Sequence, residues 1–211
     1  MNNGLSLTLG LAEIPPDGWS TQPPLSTEYS DWSCAALQAP SGLQLLPYGA
    51  AFTPTPALLP AALWPQLSAA STLSVVDVGP HLLAYAPHLL PHTDVLVLCT
   101  SAHSYARPQM QHLLQGIQAS GAAPRCMRLL AGRYDARRNS QKESLTQLLQ
   151  TWPALFLTET VHEDEHVALS VRQGIPVHER YPHAQAAHDL HGVSHRILQL
   201  LGRPCDHRTL P

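Results

Sequence analysis

The run Asp94-Val95-Leu96-Val97-Leu98-Cys99 is the part of the sequence that says most about the fold. Five consecutive residues of this run are apolar. A strand with one wet face alternates apolar and polar residues, whereas a parallel strand covered on both faces is apolar almost continuously. The run therefore predicts a central parallel strand, and such a sheet needs helices on both of its faces.

Strand and helix patterns alternate on either side of this run. Further strands are predicted at residues 43–46, 73–77, 125–131 and 154–157, and helices at 57–69, 82–90, 108–120, 140–150, 164–173 and 184–201. Ser140 and Glu143 form an S-x-x-E capping box, and Gly174 and Gly202 follow two helices as stop signals. The predicted fold class is α/β, with a mostly parallel, doubly wound sheet and helices on both faces.

Length and composition favour one globular domain over residues 1–211. Within it, residues 1–60 form a Pro- and Gly-rich irregular part, 61–202 a regular α/β body and 203–211 a tail. The net charge of −3 and the lack of a basic stripe argue against nucleic-acid binding. Four cysteines without a C-x-x-C pair, no signal-peptide pattern and no long apolar run lead us to expect a cytoplasmic protein.

The stretch Leu73-Ser74-Val75-Val76-Asp77-Val78-Gly79-Pro80 carries the first candidate site residues. In a doubly wound sheet, ligands bind beyond the carboxyl ends of the strands, where Asp77 can hold Mg²⁺ through water. The alternative is that Asp77 caps the following turn. A phosphate loop for a Mg-nucleotide would need a Gly-rich turn with a lysine, but the sequence has one lysine, Lys142, with no glycine near it.

The segment His162-Glu163-Asp164-Glu165-His166 formally matches H-E-x-x-H, in which two histidines one helical turn apart bind zinc and the glutamate is the general base. Because His162 is expected before the helix, the alternative is a loop and helix start. His188, His191 and His195 share one face of the last predicted helix. They suggest either a metal site or, as we favour, a solvated or packed face.

The loop Arg133-Tyr134-Asp135-Ala136-Arg137-Arg138 follows a predicted strand and opens on the same edge. Its guanidinium groups could clamp a base or a phosphate. The alternative is a charged connecting loop. His103 and Arg107, after the strand that ends near Cys99, share this edge and both interpretations.

From residue 73 onward, the order of elements resembles the ParA/MinD group of P-loop ATPases. The similar stretches are residues 75–80, 93–97, 133–137, 168–177 and 186–190. The sequence is more closely similar to the BcsQ family of bacterial cellulose operons. Residues 17–19, 31–32, 35–37, 103–109 and 161–168 carry that similarity, as does Ser41-Gly42-Leu43-Gln44-Leu45-Leu46-Pro47-Tyr48-Gly49.

The resemblance covers roughly residues 5–201 and begins after the family's first strand, Walker-A loop, first helix and second strand. It implies a truncated ParA/MinD (SIMIBI) type fold and a vestigial nucleotide/Mg site at Asp77, Gly79, Arg133, His162 and Glu163. It also implies an accessory protein of cellulose synthesis or secretion that binds cellulose synthase subunits or other Bcs proteins. We expect a homodimer or hetero-oligomer, with membrane contact only through partners.

Whether the protein is an enzyme stays open, and a pseudo-ATPase is favoured because the phosphate loop supplies most transition-state stabilisation in phosphoryl transfer. The candidate cofactors are ATP or ADP with Mg²⁺. One alternative is an ATPase switch for positioning or partition whose phosphate loop comes from another chain. A further alternative is a zinc metallohydrolase that uses His162 and His166.

The resemblance also predicts an incomplete sheet, because the family's phosphate-loop strand lies next to the strand that carries Asp77. Without that strand, the neighbouring edge would expose unpaired backbone groups. We expect the edge to be paired by another chain, by a rearranged N-terminal segment, or by direct closure between the flanking strands.

Overall fold

The computed structural model describes residues 36–39, 42–47, 63–70, 73–79 and 82–202. The strands are β1 (Leu37–Gln38), β2 (Gln44–Leu45), β3 (Val95–Ser101), β4 (Cys126–Tyr134) and β5 (Phe156–His162). The helices are α1 (Leu63–Ala70), α2 (Leu82–Leu89), α3 (Ala106–Ala119), α4 (Asn139–Thr151), α5 (Glu165–Gln173), α6 (Val177–Arg180) and α7 (Gln185–Leu201). A 3-10 turn, Leu90–His92, follows α2.

The sheet that organises the body has the strand order β3-β4-β5, and all neighbours are parallel. The β3–β4 register runs without interruption from the pair Val95 and Cys126 to the pair Ser101 and Gly132. The β4–β5 register shifts twice before it pairs Tyr134 with His162. All three strands therefore end at one edge, as the sequence predicted, and loops that follow them meet there.

Apolar clusters cover both faces of this sheet. On one face, Leu129 of β4 lies in a cluster with Leu90, Ile117 of α3 and Leu148 of α4. On the other face, Leu130 of β4 packs with Val193 and Leu200 of α7. Adjacent residues of β4 thus enter opposite cores, which explains the continuous apolar character of these strands. The predicted α/β fold with helices on both faces is confirmed.

The predicted strand at residues 73–77 is wrong. Residues 73–79 contain neither helix nor strand, and the side chains of Leu73 and Val75 are 50% and 80% exposed. A strand is stabilised by its ladder of hydrogen bonds, and in the described part of the chain β3 has a strand neighbour on the β4 side only. Direct closure between the flanking strands, one of the three expected solutions, does not occur there.

Other boundaries shift for local reasons. Helix α4 begins at Asn139, and its N-cap residue Arg138 makes no side-chain capping bond, so the predicted capping box at Ser140 is wrong. Gln141 instead accepts a 2.7 Å hydrogen bond from the backbone N–H of Asp135. Residues 57–62 of the first predicted helix lie outside the described residues.

One strand is longer than the sequence predicted, and two short elements were not predicted. Strand β5 extends to His162, five residues beyond its predicted end, because its polar residues still pair with β4. Helix α6 and strand β1 were not predicted, whereas β2 lies within the strand predicted at residues 43–46. The end of α5 was predicted correctly, since Gly174 follows it in the left-handed conformation at φ 63°.

Two adjacent leucines of α4 test the position of the core. Leu148 is completely buried, whereas Leu149 is 40% exposed. We expect Leu148→Ala to lower the free energy of unfolding by about 2–5 kcal/mol, because it leaves a cavity between α4 and the sheet. We expect Leu149→Ala to change it by only about 0.5 kcal/mol. Urea denaturation of both variants measures the difference, and equal losses would contradict the packing described above.

Candidate functional site

The candidate site lies where β4 and β5 end and where α5 and α7 begin. Tyr134 and His162 close the two strands, and their rings lie 5.5 Å apart between centroids. The backbone N–H of Glu163 donates a 2.9 Å hydrogen bond to the carbonyl of Tyr134, which extends the pairing by one residue. Parallel strands thus bring residues from positions 133–138, 162–166 and 185–189 together at one edge.

Arg133 occupies a conformation that is rare for its residue type. Its φ of 53° lies in the left-handed region, which costs a non-glycine residue free energy. Its Nε and one Nη atom contact the two carboxylate oxygens of Glu163 at 2.9 and 3.4 Å. The hydrogen bond that Arg133 donates to the Glu163 carboxylate raises the pKa of Arg133. Because the side chains are 78% and 47% exposed, water screens this pair, and it contributes little to stability.

Asp135 organises the loop that follows β4. Its carboxylate accepts hydrogen bonds from the side chain and the backbone N–H of Arg137, and Arg138 approaches it at 3.3 Å. These bonds, led by the one from the Arg137 side chain, lower the pKa of Asp135 to about 2. Three guanidinium groups, those of Arg133, Arg137 and Arg138, therefore lie at this edge, each with a carboxylate partner from the chain itself.

His162 is fixed by a carboxylate from the last helix. One oxygen of Asp189 accepts from the backbone N–H of His162 at 2.9 Å and lies 2.8 Å from its Nδ1. The other oxygen accepts from Gln185 at 2.7 Å. Burial by itself raises the pKa of Asp189, but the hydrogen bonds from His162 and Gln185 outweigh it, so the pKa lies below its usual value. Asp189 thereby joins α7 to the end of β5.

Asp164 makes a second junction of the same kind. It is the N-cap of α5, and one of its oxygens accepts from the backbone N–H of His166 at 2.9 Å. The other oxygen accepts from the backbone N–H of Ala186, in the first turn of α7, at 3.0 Å. Burial by itself raises the pKa of Asp164. The hydrogen bonds from Ala186 and His166 lower it by more than burial raises it, so the pKa lies below its usual value. One carboxylate thus accepts hydrogen bonds from the first turns of two helices, α5 and α7.

The H-E-x-x-H match does not have the geometry of a zinc peptidase. His162 is the last residue of β5 and His166 is the second residue of α5, so they do not lie one turn apart on a helix. Their Nδ1 atoms contact different carboxylates, those of Asp189 and Asp164. Within the described ranges, no group of three or more His, Cys, Asp or Glu residues is placed to hold a metal ion. The alternative interpretation, a loop and helix start, describes this segment.

The five residues predicted for a vestigial nucleotide site fall into two groups. Arg133, His162 and Glu163 lie together at the ends of β4 and β5. Asp77 and Gly79 belong to the exposed segment beside β3, where burial and then the Asp77 carboxylate raise the pKa of Cys99. In the described part of the chain, no ion pair joins Asp77 to Arg133. His103 accepts a hydrogen bond at Nδ1 from the Tyr105 N–H and is exposed.

Sequence reasoning did not assign roles to Asp189, Gln185 or Asp164. Asp189 and Gln185 lie four residues apart at the start of α7, a spacing at which side chains on a helix meet. Asp164 precedes a helical pattern, which is the usual place of an N-cap. These sequence patterns indicate contacts within one helix. No pattern in the sequence predicts that Asp164 and Asp189 accept hydrogen bonds from residues of other elements.

The fold is an α/β fold of the ParA/MinD type. The MinD cell division protein of Aquifex aeolicus is structurally similar, with a TM-score of 0.63 at 10% sequence identity, over 100% of this chain and 83% of that chain. The family described as cellulose biosynthesis protein BcsQ matches residues 2–198, and the chain belongs to that family. Among curated proteins no sequence matches. No described helix is long and apolar enough to cross a membrane.

The junction at Asp164 leads to a stability prediction. We expect Asp164→Ala to lower the free energy of unfolding by about 2–4 kcal/mol, because it removes the α5 cap and leaves the Ala186 N–H without its acceptor. Asp94→Ala is the matched control, since Asp94 makes only an exposed 3.5 Å ion pair with Arg125. The control should change stability by less than about 1 kcal/mol. Urea denaturation at pH 7 compares the two, and a small effect of Asp164→Ala would contradict the junction.

Proposed function

We propose that this protein is an accessory component of bacterial cellulose synthesis that acts by binding other proteins, without a catalytic cycle of its own. Membership of the BcsQ family supports the association with cellulose synthesis. The observation that carries the protein-binding role is the outer edge of β3, which has no strand neighbour in the described part of the chain. A sheet edge of this kind offers a row of backbone donors and acceptors to a partner strand.

The segment at residues 73–79 supports the same role. Its exposed side chains include Leu73, Val75 and Val76, and Asp77 lies near Cys99 of β3. Exposed apolar side chains next to a strand edge that has no described neighbour are costly in water and stabilise a complex when they are covered. An extended, apolar segment of a partner polypeptide would gain hydrogen bonds from β3 and apolar contacts from residues 73–79 together.

We commit to a partner chain as the occupant of this edge, specifically a strand from a subunit of the cellulose synthase complex or another Bcs protein. The competing occupant is the N-terminal part of this same chain, which lies outside the described residues. We propose further that the chain folds as one domain, works in the cytoplasm, and reaches the inner membrane only when partners recruit it. A homodimer or a hetero-oligomer fits this role, since either supplies a second chain.

The arrangement of charges at the carboxyl edge also favours binding over catalysis. The guanidinium of Arg133 is already engaged by Glu163, and those of Arg137 and Arg138 by Asp135. A phosphate would have to displace these carboxylates, and the sequence offers no lysine in a Gly-rich turn to assist. The second candidate, a nucleotide-dependent switch completed by another chain, is favoured only by the clustering of Arg133, His162 and Glu163.

A binding experiment tests the β3 edge. We expect the backbone amides of β3 that point away from β4 to exchange with solvent deuterium quickly in the isolated full chain and slowly once the purified cellulose synthase complex is added. Val75→Lys should weaken binding to the complex, because it places a charge within the apolar segment. Val171→Lys is the matched control, since Val171 is 40% exposed on α5, which follows β5 on the other side of β4 from β3. The control should bind as the wild type does.

Two results would overturn the role of this edge. Protection of β3 in the isolated chain, as strong as that of β4, would mean that the chain closes its own sheet. Equal binding by Val75→Lys and wild type, with no change at β3, would place the partner elsewhere on the molecule.

Nucleotide titration separates the two candidate functions. We expect no saturable heat on titration of the purified chain with millimolar ATP or ADP, with or without Mg²⁺. Saturable, Mg-dependent binding that is lost in Asp77→Ala would instead support the switch, and an ATPase rate abolished by the same substitution would end the pseudo-ATPase proposal.

A further inference from the structure

Helix α7 presents a histidine-rich face to solvent. Val193 and Leu200 of this helix are buried against the sheet. His188, His191 and His195 are all exposed on the opposite side. This face is independent of the carboxyl edge described above, where α7 contributes Asp189 and Gln185.

His191 and His195 have the spacing of a chelating pair. Residues four apart on an α-helix lie on one face, with Cβ atoms about 5–6 Å apart. Two imidazoles at that spacing can hold one metal ion, as in helical zinc motifs. His188 stands seven residues, about two turns, before His195, too far for both to reach one ion. In agreement with this, the described residues contain no group of three potential ligands placed around one point.

The surroundings leave this pair free to bind. The side chain of His191 makes no hydrogen bond within the described part of the chain. Nδ1 of His195 lies 3.2 Å from Nε2 of Gln199, whose Oε1 accepts a 3.2 Å hydrogen bond from Arg196. If a metal bound Nε2 of His195, the proton would move to Nδ1, and Gln199 would turn its oxygen toward the ring. That rotation gives up only one long hydrogen bond.

We propose that His191 and His195 form a two-ligand site for a late first-row divalent cation on the solvent face of α7. Imidazole nitrogen suits Zn²⁺, Ni²⁺ and Cu²⁺ and is a poor ligand for Mg²⁺ or Ca²⁺. Water completes the coordination of the ion, since two protein ligands leave the remaining positions of a tetrahedral site open. The bound ion also stabilises the folded helix, because the unfolded chain does not hold the two rings in place.

Calorimetric titration of ZnCl₂ into the full-length, tag-free chain tests the site. The wild type should show saturable binding with one ion per chain and a thermal midpoint that rises with zinc. His191→Ala and His195→Ala should each lose the saturable binding and the zinc-dependent rise. His112→Ala is the matched control, because His112 is exposed on α3 with no histidine three or four residues away. The control should bind zinc as the wild type does.

Because His191 and His195 are exposed, the variants are expected to fold, and their circular dichroism without zinc should equal that of the wild type. Absence of saturable binding by the wild type overturns the site. Binding that survives in either variant also overturns it and moves the ligands elsewhere. Loss in His112→Ala to the same extent would mean nonspecific uptake by surface histidines, which is equally fatal to the proposal.

Discussion

The structure depends on the pairing of β4 with strands on both of its sides. Leu129 and Ala131 of β4 are completely buried, and adjacent residues of the strand enter the two opposite cores. Because the pairing is parallel, every strand must be followed by a crossover that returns over one face. Those crossovers place the polar residues that follow β3, β4 and β5 at one edge, and the candidate site is a consequence of that geometry.

At this edge the charges mostly satisfy one another. Asp164 and Asp189 accept backbone N–H groups from distant parts of the chain, and Asp135 and Glu163 hold three arginines. A carboxylate that accepts hydrogen bonds from backbone N–H groups has a structural role, since its removal would leave those buried donors without acceptors. The left-handed Arg133 is the exception, because its strained backbone and exposed ion pair are not needed to hold the elements together.

The lateral edge of the sheet at β3 has the reverse character. Asp77 lies near Cys99 of β3, and residues 73–79 form neither helix nor strand and are mostly exposed despite their β-branched, apolar sequence. The same residues would be favourable in a central strand and are unfavourable in water, so their environment is incomplete in the described part of the chain. This contrast between a closed polar edge and an open apolar one is the physical basis of the protein-binding proposal.

The sequence by itself determined the class of fold and most of its elements. Residues 94–99 required a sheet covered on both faces, and the periodic patterns located α2, α3, α5 and α7 to within two residues, because burial imposes those patterns locally. Tertiary structure alone decided three things. Residues 73–77 form no strand, since a strand needs a neighbour. Pairing with β4 extends β5 as far as His162, so His162 lies in the strand while His166 lies in helix α5. Asp189 accepts from His162, 27 residues away, and Asp164 accepts from Ala186, 22 residues away, through contacts that only folding creates.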